Sequence, residues 1–240
     1  MRTEEKAILQ SFFIPGIFLL MMWMLKLTEW FFDLSFVTYG IHPLHADGLP
    51  GIFLSPFIHG DWQHLAANSV PVLVLGAALF YFYKPLAYRV LLLIIVLSGL
   101  WVWAGARGSY HIGASGVIYG LSSFLLVSGF IRHEARLMAL SLIVVFLYGS
   151  FVWGIFPDFF PEKNISWEGH LSGMLAGLIL AIFYRKHGPQ KSRYSWEHED
   201  ENMDETCQDP SEEKPYWDVP EPDQKDLTIV YKFRQKSGEN

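Results

Sequence analysis

The sequence predicts an all-α membrane protein: a bundle of six transmembrane helices with a long interfacial first loop and a disordered acidic C-terminal tail. Three observations carry this. Of 240 residues, 51% are hydrophobic, 16% aromatic and only 18% charged, too apolar a mixture for a soluble domain of this length. Charged side chains then vanish from six stretches of bilayer-crossing length. Finally, the acidic balance is local: of the formal −6, residues 194–240 hold 5 Lys+Arg and 14 Asp+Glu, or −9, which leaves +3 for the rest. A single cysteine, Cys207, excludes a disulfide scaffold and a four-thiolate zinc site. Neither part concentrates basic residues on a face, so nucleic acid is not an expected partner.

The six spans are bounded by where Asp, Glu, Lys and Arg stop, because an unpaired charge in hydrocarbon is costly. They are Ala7–Leu25, Trp62–Tyr83, Val90–Ala106, Gly108–Ile131, Leu137–Pro157 and Gly169–Tyr184. Pro15 and Pro71 fall inside two of them, where neighbouring helices re-satisfy the freed backbone groups. Lys84, Arg89, Arg132, Arg136, Arg185, Lys186, Lys191 and Arg193, with Arg2 and Lys6, fall on one side, and only Lys26, Arg107 and Lys163 on the other. Both termini are therefore expected in the cytoplasm of a multi-pass cell-membrane protein. The first span lacks a small-residue cleavage site and reads as a retained helix.

The connection from Lys26 to Asp61 is aromatic, with Trp30, Phe31, Phe32, Phe36, Tyr39, Phe53 and Phe57. Its charge-free pieces are too short to span, so it is expected to lie half embedded in the outer leaflet. The membrane domain is assigned to residues 1–190. Residues 191–240 form the tail, mostly too polar and acidic to bury a core. Within the tail, Leu227–Phe233 alternates like a short strand that could add to a cytoplasmic partner's sheet edge, although a solvated tail with a sticky end is the favoured reading.

Polar groups inside spans are the places to look for function. Three clusters stand out: His59, His64 and Asn68 entering span two; Gly113, Ser115, Gly116 and Tyr119 entering span four; His170, Gly173 and Gly177 entering span six. Singly, each has a plain structural reading: a membrane serine commonly bonds back to a carbonyl one turn earlier, an asparagine clamps two helices, and glycines pack. Topology changes this, because the even-numbered spans all start at the outer face and bring the clusters to similar depth. Helical spacing puts His64 with Asn68, Ser115 with Tyr119, and His170 with Gly173 and Gly177 on shared faces. Gly116 and Gly120 opposite Gly173 and Gly177 allow close backbone approach.

A serine hydroxyl needs a base, and His170 is the histidine placed opposite Ser115. No Asp or Glu lies within the runs, and Glu168 is on another helical face, so the arrangement is a dyad with the imidazole packed on the Tyr119 ring. Donors for a developing oxyanion are the Ser115 amide, the Asn68 side chain and His64. His59 is expected to pin the first loop to span two. A metal site built from His59, His64, His111 and His170 is the chemical competitor, but His59 and His64 are five residues apart and no carboxylate or thiolate is embedded beside them. No metal or cofactor is expected.

These residues resemble the rhomboid family of intramembrane serine proteases. The family's histidine and asparagine motif is similar to His59 through Asn68, its Gly-x-Ser-Gly nucleophile motif to Gly113-Ala114-Ser115-Gly116, and its sixth-helix motif to His170-Leu171-Ser172-Gly173 with Gly177 following. The resemblance covers about residues 7–186. It implies Ser115 as nucleophile, His170 as general base, Tyr119 packing on the histidine, Asn68 and His64 as oxyanion donors, and transmembrane proteins as substrates. It also implies a cap formed by Asp158–Trp167. Where many members carry an Arg in the first loop, this chain has Pro43 followed by Leu44. The alternative is an inactive rhomboid-like protein that binds or escorts membrane clients. A transporter is disfavoured by the lack of embedded ion pairs and of repeated halves.

Overall fold

The computed structural model describes residues 3–133, 135–147 and 166–187. The chain divides after Lys191 into two units, and every described residue lies in the first. Among the described residues the structure is helical, with one isolated bridge between Ile41 and His111 in place of any strand. The helices are α1 (Thr3–Ser11), α2 (Phe13–Phe32), the short α3 (Gly51–Leu54), α4 (Trp62–Phe82), α5 (Ala87–Gly105), α6 (Ser115–Arg132), α7 (Ala135–Leu147) and α8 (Trp167–Phe183).

Among the described residues, four apolar segments are long enough to cross a membrane: Glu4–Phe32, Trp62–Phe82, Ala87–Gly105 and Ser115–Arg132. At 1.5 Å per residue the 21 residues of α4 rise about 32 Å, and the 17 of α8 about 26 Å. The tail, residues 158–165 of the cap expected over Asp158–Trp167, and the second half of the expected fifth span lie outside the described residues.

α6 is the central helix: 61% of its apolar window is inside the protein, against 22% for Glu4–Phe32. α4, α5, α7 and α8 all pack on it, α8 most extensively. Glycine makes that contact so close. A Cβ on Gly173 would fall on the carbonyl oxygen of Gly116, and one on Gly177 on that of Gly120. The rest of the core is aliphatic and aromatic, with Leu65, Leu75, Leu79, Ile94, Leu121, Phe124 and Leu125 fully enclosed. At the far end of α6, Arg132 donates to the carbonyls of Tyr184 (2.7 Å) and His187 (2.6 Å), which satisfies acceptors at the end of α8.

Element bounds differ from the charge-based expectation in instructive ways. The first apolar helix runs on to Phe32, so the first loop starts at Asp33 rather than at Lys26. Lys26 and Glu29 neutralise each other at 3.0 Å within that helix, so the charge that was to end it does not. α5 starts at Ala87, with Arg89 in its first turn. α6 starts only at Ser115, and Gly108 to Ala114, expected within the fourth span, is loop. There His111 pairs with Ile41 and Gly113 has φ +106°, a conformation glycine tolerates and a helix does not use.

Candidate active site

The loop over 106–114 delivers Ser115 as the first residue of α6, with Ala114 as N-cap. On α8, Ser166 is the N-cap and its hydroxyl accepts the Gly169 N–H at 3.2 Å, so His170 follows in the first turn. The glycine contact sets the two helices close enough for their side chains to meet. Ser115 Oγ lies 2.9 Å from His170 Nε2, within reach of a hydroxyl donating to an imidazole nitrogen. The Tyr119 ring stacks on the His170 imidazole with centroids 4.3 Å apart and planes 11° from parallel. Tyr119 is one helical turn after Ser115, so one face of α6 carries both contacts to His170.

The third cluster meets this pair through Gly113. A Cβ there would lie 2.6 Å from His64 Cε1, 2.8 Å from His64 Nε2 and 3.8 Å from Asn68 Nδ2. Hence Gly113, two residues before the serine, is needed for its positive φ and for the room it leaves the His64 ring. Asn68 is buried and donates to His59 Nε2 at 3.1 Å. His59 Nδ1–H donates to the Phe57 carbonyl at 3.3 Å, and the Ala114 N–H points at His59 Nε2 from 3.5 Å. The imidazole of His59 thus links loop, α4 and the residue before Ser115. Burial, helped by the neighbouring His64 and Lys26, pushes its pKa down to about 3, so it is neutral and accepts from Asn68.

The structure places Ser115 and Tyr119 each in contact with His170; His64, Asn68, His59 and Gly113 around the start of α6; and Gly116, Gly173 and Gly177 in the helix crossing. Glu168 faces away from His170 and accepts from Arg107 Nε at 3.2 Å. Among the described residues no three His, Cys, Asp or Glu side chains gather as a metal-holding group. A small, partly open cavity of about 40 Å³ adjoins Ser115, lined by Ile52, Ser98, Gly99, Val102 and His111 among others.

Sequence reasoning missed the anchor of the first loop. Lys26 Nζ donates to Glu29 (3.0 Å) and to the carbonyls of His59 (3.0 Å) and Gly60 (2.9 Å), three acceptors for three N–H groups. Glu29 Oε1 accepts the Phe36 N–H at 2.6 Å. One ion pair on α2 thereby ties down both ends of the loop, in place of the first-loop arginine that the family resemblance led us to expect. The signal was present: a Lys and a Glu three residues apart in an apolar stretch are expected to pair. Ser166 was missed too, although a serine directly before an apolar helix, with Glu168 in the first turn, is a capping signature.

An all-helical bundle of apolar spans with glycine-packed helices and a buried polar end is the architecture of a polytopic membrane protein. A model of the rhomboid domain matches residues 47–187, more than half of the chain, and the protein belongs to the rhomboid family. It is 40% identical over 153 residues to an uncharacterized protein of Mycobacterium tuberculosis, an alignment covering 59% of this chain and 62% of that one. A Mycobacterium leprae relative, also uncharacterized, is 33% identical over 171 residues, covering 68% of this chain and 67% of its own. A protein of Acanthamoeba polyphaga mimivirus that is named as a rhomboid protein is 31% identical over 140 residues, 53% of this chain and 71% of that one. The chain thus spans less than two thirds of the Mycobacterium tuberculosis relative.

Proposed function

We propose that the protein is an intramembrane serine endopeptidase that cleaves other transmembrane proteins near the outer interface of the cell membrane, with both of its termini in the cytoplasm. The observation that carries this reading is the 2.9 Å contact between Ser115 Oγ and His170 Nε2 beneath the Tyr119 ring. In this mechanism His170 takes the hydroxyl proton as Oγ attacks the scissile carbonyl carbon, and the carbonyl oxygen becomes an oxyanion. The Ser115 amide at the positive end of α6, the Asn68 amide and His64 stabilise that charge. The imidazolium then gives its proton to the departing amine nitrogen, leaving an ester on Ser115. A water, deprotonated by His170, hydrolyses the ester and restores the serine. Substrate helices hold their carbonyls in internal hydrogen bonds, so the reading requires a locally unwound segment at the cut.

The test uses purified protein, a transmembrane reporter and a fluorophosphonate. The probe's phosphorus bonds to Oγ, fluoride leaves and the hydroxyl proton goes to His170. Wild type is expected to cleave and to be labelled, and Ser115→Ala and His170→Ala to do neither. Reporter cleavage by folded Ser115→Ala at the wild-type rate would sink the assignment. A folded wild type that takes up no label and cuts nothing would favour the client-binding alternative.

A further inference from the structure

The serine and the histidine sit on separate helices, and the glycine crossing fixes only their closest backbones. What sets α8 against the loop that delivers Ser115 is a second set of contacts at the loop end, centred on His111. This histidine is buried and lies four residues before Ser115. Its backbone is paired with Ile41 through N–H···O bonds of 2.9 and 3.0 Å. Its Nε2 lies 3.0 Å from the Arg107 carbonyl, which can only accept, so Nε2 carries the proton. Nδ1 is then an acceptor, and Ser166 Oγ lies 2.7 Å from it. Ser166 is the N-cap of α8, its hydroxyl accepts the Gly169 N–H at 3.2 Å, and its carbonyl accepts the His170 N–H, also at 3.2 Å. The serine hydroxyl donates to His111 while accepting from the helix start, so each donor in the chain of bonds meets an acceptor.

The chain of bonds therefore runs from the nucleophile's loop through one imidazole to the backbone of the general base. The neighbouring Arg107–Glu168 pair bridges the same two segments, but the arginine is half exposed, at 51% for its side chain, and solvent screening weakens such a pair. The His111–Ser166 bond, made by a histidine only 4% exposed and a partly buried serine, is less open to solvent and is the firmer constraint on orientation.

We propose that His111 is a positioning residue for the proteolytic site. Through Ser166 it holds the first turn of α8 at the distance and angle that let His170 reach Ser115. The inference rests on the serine-protease reading above and adds to it a residue that touches neither the substrate nor the serine. Asparagine places an amide oxygen near the position of Nδ1, where it can still accept from Ser166, and alanine cannot.

The experiment measures, on the full-length protein in micelles, the rate constant of fluorophosphonate inactivation across pH, reporter kcat and KM, and thermal unfolding. His111→Ala is expected to lower both the inactivation rate constant and kcat by about 10- to 100-fold with KM little changed, the scale of a small misplacement of reacting groups. His111→Asn is expected to recover most of that loss. Ser166→Ala is expected to resemble His111→Ala, and the double variant to be no slower than the slower single one. A merely structural role would shift the unfolding midpoint and the fraction of labelled protein but leave the rate constant of the labelled fraction at the wild-type value, and that result would overturn the proposal. So would additive losses in the double variant. Should His111→Ala not fold, the asparagine variant and Ser166→Ala decide: wild-type rate constants in Ser166→Ala refute it. A wild type that is not labelled overturns the protease reading itself; a labelled wild type with an equally fast His111→Ala overturns only this inference.

Discussion

Histidine has three different uses within one cluster, and surroundings separate them. His170 meets a hydroxyl and a phenol ring, His111 links two backbone segments, and His59 is enclosed between a carbonyl, an amide side chain and a backbone N–H. His59 has a consequence for acid stability. Its folded pKa of about 3 lies below the unfolded value near 6.5, so between these pH values the unfolded chain binds a proton that the folded one does not. Stability is unaffected by His59 above pH 6.5 and falls as the solution is acidified, by about 2 kcal/mol at pH 5. His59→Gln should lose that part of the pH dependence. Unfolding in detergent followed from pH 7.5 to 5 checks it, and an identical decline in wild type and variant would refute it.

At the scale of elements, the close pairing of α6 and α8 and the anchoring of the first loop make separate demands. Gly173→Ala puts a methyl group on the Gly116 carbonyl, which is backbone and cannot swing away. Expected is a loss of about 1–3 kcal/mol from overpacking, with activity falling further because the helices must separate. Gly16→Ala, where nothing lies within 4 Å, serves as the control and should be stable to within about 0.5 kcal/mol. A Gly173→Ala protein as stable and active as wild type would contradict the packing argument. For the loop, Lys26→Met leaves Glu29, whose side chain is 7% exposed, without its cation. Breaking such a buried pair costs about 3–5 kcal/mol, whereas removing both partners costs less. Lys26→Met should therefore unfold earlier than the Lys26→Met/Glu29→Leu double variant, a ranking that thermal denaturation reads directly.

For the whole molecule, the orientation proposed from charge asymmetry would have the acidic tail in the cytoplasm, and the single cysteine makes this testable without engineering. Cys207 should resist a membrane-impermeant maleimide added to intact cells and react once they are opened. Reaction in intact cells would reverse the orientation and with it the side on which cleavage is proposed.

The sequence by itself determined that the chain is an apolar helical bundle of the rhomboid family. Bilayer-length charge-free runs and residues repeating every turn are local properties, and they leave a readable trace in one dimension. It also brought forward Ser115, His170, Asn68 and the helix-packing glycines, because polar and small residues stand out against an apolar background. Where the helices end was less legible. A charge counts as a boundary only while it is unpaired, and the pairing of Lys26 with Glu29 and with two loop carbonyls exists only once the loop has folded back onto α2. The same holds for α6, which starts late because Gly113 turns and His111 pairs with Ile41 some seventy residues earlier. Tertiary structure alone decided which histidine does what, since an imidazole's protonation and partners depend on whatever backbone happens to enclose it.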